Sequence, residues 1–139
     1  MKNILNTAGF LSLLMVFSCM TYAAHHADPL LDAVNNPARN SAYSARDASR
    51  HPYETLSFFQ INPSMHVLEL SAGGGWYTEI LAPYLKDSGK LSVTHHNPDA
   101  GNYYKRSRGS YDAKVASNPL FAGVEVITAD VPPTQEYSM

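Results

Sequence analysis

The segment Met65-His66-Val67-Leu68-Glu69-Leu70-Ser71-Ala72-Gly73-Gly74-Gly75-Trp76-Tyr77-Thr78 constrains this chain more than any other. A short apolar run ends in an acid, a glycine-rich turn follows, and residues able to open a helix come next. At the carboxyl end of a parallel strand, such a turn lets the backbone approach a ligand while the helix start offers unpaired N–H groups. Three consecutive glycines also fit an ordinary tight turn. The acid before them and the helix behind them favour a binding loop.

The amino terminus carries an export signal. Lys2 precedes the apolar stretch Phe10-Leu11-Ser12-Leu13-Leu14-Met15-Val16-Phe17, and the small residues Thr21, Ala23 and Ala24 follow. A basic start, a short apolar middle and a small-residue exit make a secretory signal peptide over residues 1–23, cut after Ala23. The apolar stretch is shorter than the ~20 residues of a membrane-spanning helix, so no stable span is expected. A second reading takes Val16-Phe17-Ser18-Cys19 as a lipoprotein signal with a lipid anchor at Cys19. Either way the expected location is outside the cytoplasm, periplasmic or secreted.

Composition limits the mature domain. Cys19 is the only cysteine and leaves with the signal, so the exported domain holds together without disulfides. The formal charge of -2 becomes -3 once Lys2 is removed. That balance supplies no electrostatic footprint for nucleic acid or an anionic membrane. Roughly 115 residues remain, enough for one small domain.

Residues 24–42, with Pro29, Pro37 and Asn35-Asn36, read as a flexible arm. Residues 43–60 are helical with a break near Arg50-His51, because Pro52 has no N–H to donate. The first strand, residues 67–70, is expected to be buried on both faces. Residues 76–86 form a helix with Pro83 in its last turns, and 91–94 a second strand. Residues 97–109 read as loop, 111–116 as a helix stopped by Asn118-Pro119, and 124–128 as a third strand finishing at Asp130. Strands alternating with helices predict an α/β fold with a parallel sheet.

Glu69-Leu70-Ser71-Ala72-Gly73-Gly74-Gly75, followed by strands at Leu91 and at Ala129-Asp130, resembles class I S-adenosylmethionine-dependent methyltransferases. Ala45-Arg46-Asp47-Ala48-Ser49-Arg50-His51-Pro52, Glu54-Thr55-Leu56 and the run from Gly74 through Trp76, Tyr77 and Thr78 to Leu85 resemble a group of exported predicted methyltransferases. The resemblance implies a Rossmann-like fold with S-adenosylmethionine as cofactor. Glu69 would help hold the cofactor's methionine amino group, Gly73 and Gly75 would lie against it, and Asp130 would face the adenine. Arg50, His51, Trp76 and Tyr77 would cover the cofactor or line the acceptor site.

Two positions depart from that pattern. Ser71 stands where the family has its first glycine, and a Cβ there is strained if φ is positive. The acid that ends the family's second strand is replaced by Thr94, His95, His96 and Asn97. A neutral imidazole or amide carbonyl accepts a ribose hydroxyl proton more weakly than a carboxylate. The family's sheet has seven strands in the order 3-2-1-4-5-7-6. Residues 43–139 are expected to supply only its amino-terminal part, truncated after about the third strand and without the acceptor-binding region.

Other motifs are weaker. His25-His26 and His95-His96 are adjacent pairs whose side chains diverge in an extended segment, so no metal site is expected. Tyr103-Tyr104-Lys105-Arg106-Ser107-Arg108 combines aromatics with cations, but in a charge-balanced chain it reads as a solvated loop. Arg46 and Arg50 would share a helix face, with Asp47 pairing Arg50 or His51. The loop lacks the G-x-G-x-x-G fingerprint of dinucleotide enzymes, because Thr78 takes the place of the last glycine. Two readings stay open. The first is a methyltransferase, or a truncated, inactive fragment of one, acting on an unknown acceptor. The alternative is a non-catalytic module that binds a small-molecule or nucleotide ligand.

Overall fold

The computed structural model describes residues 28–129, so the expected signal peptide, Cys19, Asp130 and the expected end of the sheet lie outside the described residues. Three strands, β1 (His66–Glu69), β2 (Lys90–His95) and β3 (Glu125–Thr128), form one parallel sheet in the order β1-β2-β3. His66 pairs with Lys90 and Glu69 with Val93, while Ser92 pairs with Glu125 and His95 with Thr128. Helix α1 spans Pro29–Val34, α2 Ser41–Ser44, α3 Asp47–Arg50 and α4 Pro52–Phe58. Between the strands come α5 (Thr78–Leu85) and α6 (Asn102–Ser117), with short 3₁₀ turns at Pro98–Ala100 and Pro119–Phe121.

One side of the sheet carries the core. Val93, Ile80 and Phe121 are fully buried, and Leu85, Leu91 and Tyr111 nearly so. Each buried side chain of this size contributes roughly 1.5–3 kcal/mol, and α5 brings together those of α1, β2 and the Pro119–Phe121 turn. The opposite side of β1 is open among the described residues. Leu68 is 53% and Leu70 65% exposed, so the expectation of burial on both faces is corrected. The side-chain period of two sends Val67 and Glu69 towards the helices and Leu68 away from them.

The arm reading of residues 24–42 is also corrected from Asp28 onward. Asp28 caps α1 by accepting the N–H groups of Leu30 and Leu31, and it accepts the Tyr53 hydroxyl at 2.6 Å. Leu30, Ala33 and Val34 enter the core, where α1 packs on α5. Their spacing of i, i+3 and i+4 is one helix face, hidden in the sequence by the prolines and asparagines around it. Arg39 is buried and makes two hydrogen bonds to Asp47, at 2.6 and 3.1 Å. Asp47 is therefore taken up by Arg39, not by Arg50 or His51.

The break before Pro52 is present, with His51 in the left-handed region at φ 47° between α3 and α4. Residues 97–109, expected as loop, are half helix, because α6 begins at Asn102 and runs to Asn118-Pro119. Only Tyr111 of α6 is buried. Polar links tie the helix to its neighbours, Arg108 Nη1 donating to Thr128 Oγ1 at 2.9 Å and Lys114 Nζ to the Gly74 carbonyl at 2.7 Å. No helix among the described residues is long and apolar enough to cross a membrane.

Candidate functional site

The carboxyl ends of β1 and β2 meet at the glycine loop. Ser71, Gly73 and Gly75 all have positive φ, at 55°, 58° and 89°. Ser71 thus adopts the strained conformation its sequence position raised. It is anchored there by its N–H, which donates to Thr94 Oγ1 at 2.8 Å, while the Ala72 N–H donates to the Thr94 carbonyl. A left-handed non-glycine residue costs about 1–2 kcal/mol, partly offset by the chain entropy a glycine would lose. Ser71→Gly should therefore stabilise the protein by about 0.5–1 kcal/mol, read as a higher urea midpoint. No change, or a loss, would show that the serine hydroxyl contributes more than its backbone costs.

The three glycines have different duties. Gly73 is exposed, and a Cβ built on it meets nothing nearer than 3.8 Å. Gly74 lies under Tyr43, and its carbonyl accepts from Tyr43 Oη at 2.9 Å and Lys114 Nζ at 2.7 Å. Gly75 is buried, and a Cβ there would come within 2.8 Å of the Phe121 ring. Of the two glycines assigned to the cofactor, Gly73 faces open space and Gly75 faces the core.

Glu69 ends β1 on the helix side of the sheet. Its Oε2 accepts from Thr78 Oγ1 at 2.7 Å, and Thr78 Oγ1 lies 3.0 Å from Tyr111 Oη. Burial pushes the Glu69 carboxyl up to about 7, opposed by the Thr78 hydrogen bond. Burial also pushes the Tyr111 hydroxyl up to about 12. At neutral pH the group is a carboxyl near its midpoint linked to two neutral hydroxyls.

His95 is buried, and both ring nitrogens are engaged. Nδ1 accepts the His96 N–H at 2.9 Å, which leaves the proton on Nε2 to donate to the Gly73 carbonyl at 3.0 Å. Burial holds its pKa below the ordinary histidine value, opposed by the Gly73 hydrogen bond. The ring also packs against Tyr111 at a centroid distance of 4.9 Å. His95 therefore braces the glycine loop from beneath. Thr94 does the same through Ser71, and neither side chain lines the cleft beside the loop.

Arg50 and Trp76, both candidates for a cover, come together. The guanidinium lies 5.0 Å from the indole centroid, and Trp76 Nε1 donates to the Tyr43 carbonyl at 2.8 Å. Tyr77 meets Trp76 edge-on and packs half-buried against the core. His51 is set apart, exposed, with Nδ1 3.8 Å from Glu54 Oε1, too far for a hydrogen bond.

A cleft of about 240 Å³ opens between the glycine loop and α6, lined by Gly73, Gly74, His96, Tyr103, Ser107 and Lys114 among others. Sequence reasoning does not single out Tyr43, Thr78, Tyr111 or Lys114. Tyr103, Ser107, Ser110, Tyr111 and Lys114 recur at i, i+4, i+7, i+8 and i+11, one helix face bearing hydroxyls and an ammonium. That spacing becomes readable once residues 102–117 are taken as one helix. No protein-family model, curated protein or solved structure matches this chain.

Proposed function

We propose that the chain carries the cofactor-binding part of an S-adenosylmethionine-dependent methyltransferase of Rossmann-like fold, with an unassigned acceptor. The observation that supports this best is the unit β1–loop–α5, in which Glu69 ends the strand and Gly73 lies open above it. The parallel order β1-β2-β3 is compatible with the 3-2-1 half of the sheet that such enzymes use. Glu69, near its midpoint at neutral pH, suits the cofactor's ammonium group, since a bound cation favours the carboxylate. Methyl transfer asks chiefly for geometry, because the sulfonium already bears a good leaving group and in-line approach supplies much of the rate.

Calorimetric titration with S-adenosylmethionine at pH 7 tests the reading. Binding should release protons as Glu69 ionises, so the observed heat should vary with the ionisation enthalpy of the buffer. Glu69→Gln should weaken binding tenfold or more and remove the buffer dependence. Undiminished affinity in that variant would take Glu69 out of the site, and absence of binding by the parent protein would end the proposal.

The alternative, a non-catalytic module for a nucleotide or other small ligand, is favoured by one observation. Among the described residues no carboxylate lines the cleft, and both ring nitrogens of His95 are bonded within the protein, so none of these supplies the carboxylate that the methyltransferase pattern offers to ribose hydroxyls.

A further inference from the structure

The cleft beside the glycine loop is rich in hydrogen-bond donors. Positive φ at Ser71, Gly73 and Gly75 breaks the loop away from any helical or strand pairing of its N–H groups. Ser71 and Ala72 spend their N–H groups on Thr94, and Gly75 spends its own on the Ala72 carbonyl. The N–H groups of Gly73 and Gly74 have no protein acceptor among the described residues.

Lys114 closes the same end. Its ammonium donates to the Gly74 carbonyl at 2.7 Å and to Tyr43 Oη at 2.8 Å, and it lies 4.8 Å from the Tyr43 ring centroid. Those contacts fix the side chain and use two of its three protons. No carboxylate of the described residues forms an ion pair with it. A half-buried ammonium held in place without a counter-charge attracts an anion more strongly than a mobile surface lysine does.

The other end of the cleft is aromatic. His96 packs against Tyr104 at 4.9 Å and against Tyr103 at 6.4 Å between centroids. Tyr103 is 65% exposed, which leaves a ring face for stacking. Eleven residues separate Tyr103 from Lys114, about 16 Å along the helix axis at 1.5 Å per residue. Ser107 and Ser110 place hydroxyls between them.

We propose that this cleft binds a nucleoside phosphate, its base against Tyr103 and His96 and its terminal phosphate on the Gly73 and Gly74 N–H groups and Lys114 Nζ. This rests on the second reading above, the small-ligand module, because Glu69, which carries the methyl-donor reading, does not line the cleft. Base stacking supplies sequence-tolerant affinity, and the lysine and loop select for the phosphate.

The test titrates the full chain with ADP, adenosine, inorganic phosphate and S-adenosylmethionine, by calorimetry and by amide NMR. ADP should bind at least tenfold more tightly than adenosine and should shift the Gly73 and Gly74 amide signals, with inorganic phosphate shifting the same two more weakly. Lys114→Met should bring ADP down to the affinity of adenosine while leaving adenosine binding unchanged, a split that general loosening of the loop would not produce. Should that variant fail to fold, the parent protein still decides, because ADP affinity should fall with added salt while that of adenosine holds. Equal affinity for ADP and adenosine, or amide shifts confined elsewhere, would overturn the proposal. Binding of S-adenosylmethionine without ADP would overturn it and leave the methyl-donor reading standing. Binding of ADP alone would do the reverse.

Discussion

Replacing Gly75 by valine is expected to unfold the domain whether or not a ligand is present. The residue has φ 89°, and a Cβ built on it falls 2.8 Å from two Phe121 ring carbons and 3.2 Å from Tyr111. Neither ring can retreat easily, because Phe121 is fully buried and Tyr111 nearly so. Overpacking a closed core costs about 1–3 kcal/mol. A β-branched residue at positive φ adds about 1–3 kcal/mol of strain. Together these come to about 2–6 kcal/mol, which reaches the lower end of a small domain's stability of about 5–15 kcal/mol. Urea denaturation should show a collapsed midpoint or no transition at all. Gly73→Ala is the matched control, since its Cβ meets nothing nearer than 3.8 Å and only its φ of 58° is strained. It should lose about 1 kcal/mol. If the valine variant folds with near-parental stability and only ligand binding is lost, Gly75 belongs to the cleft after all.

That assignment of Gly75 illustrates what the sequence can carry. The order of strand, acid, glycine turn and helix is legible because each step has a local cause: a short apolar run, the freedom of glycine, and the 3.6-residue spacing of Ile80, Leu81 and Leu85. Which glycine meets a ligand is a tertiary fact. It is decided by Phe121, which lies 46 residues from Gly75 in the chain. Helix α1 escapes notice because Leu30, Ala33 and Val34 sit among prolines and asparagines, yet three apolar residues on one face suffice when α5 offers a complementary surface. Helix α6 is half hidden for a related reason. Its polar composition shows no apolar stripe, so the periodicity to look for is that of hydroxyls and an ammonium. His95 stands in the expected neighbourhood with a different duty, since only the register of β2 against the loop brings Nε2 to the Gly73 carbonyl.

The second large effect concerns the carboxyl that the fold draws from water. Glu69 is held at about 7 in the folded protein against an ordinary 4.5, mainly by burial. Because the folded value is the raised one, the protonated acid favours the fold. Its contribution is fully present below pH 4.5 and is lost as the pH rises through about 7. A shift of that size, at about 1.4 kcal/mol per unit, is on the order of 3 kcal/mol. Parent stability, read as the urea midpoint, should therefore fall between about pH 5 and pH 8 by an amount of that order. Glu69→Gln stays neutral throughout and can still accept from Thr78 Oγ1, so its midpoint should be nearly flat over the same range and clearly higher than the parent at the alkaline end. Glu54→Gln, at an exposed carboxylate on α4, controls for the loss of a charge and should leave the slope in place. Parallel pH curves for Glu69→Gln and the parent would mean that Glu69 is solvated or paired and stores nothing. If the curves diverge as expected, the end of β1 holds an acid whose ionisation the protein resists. Such a group is destabilising for a fold by itself, and a bound cation above it would recover the loss.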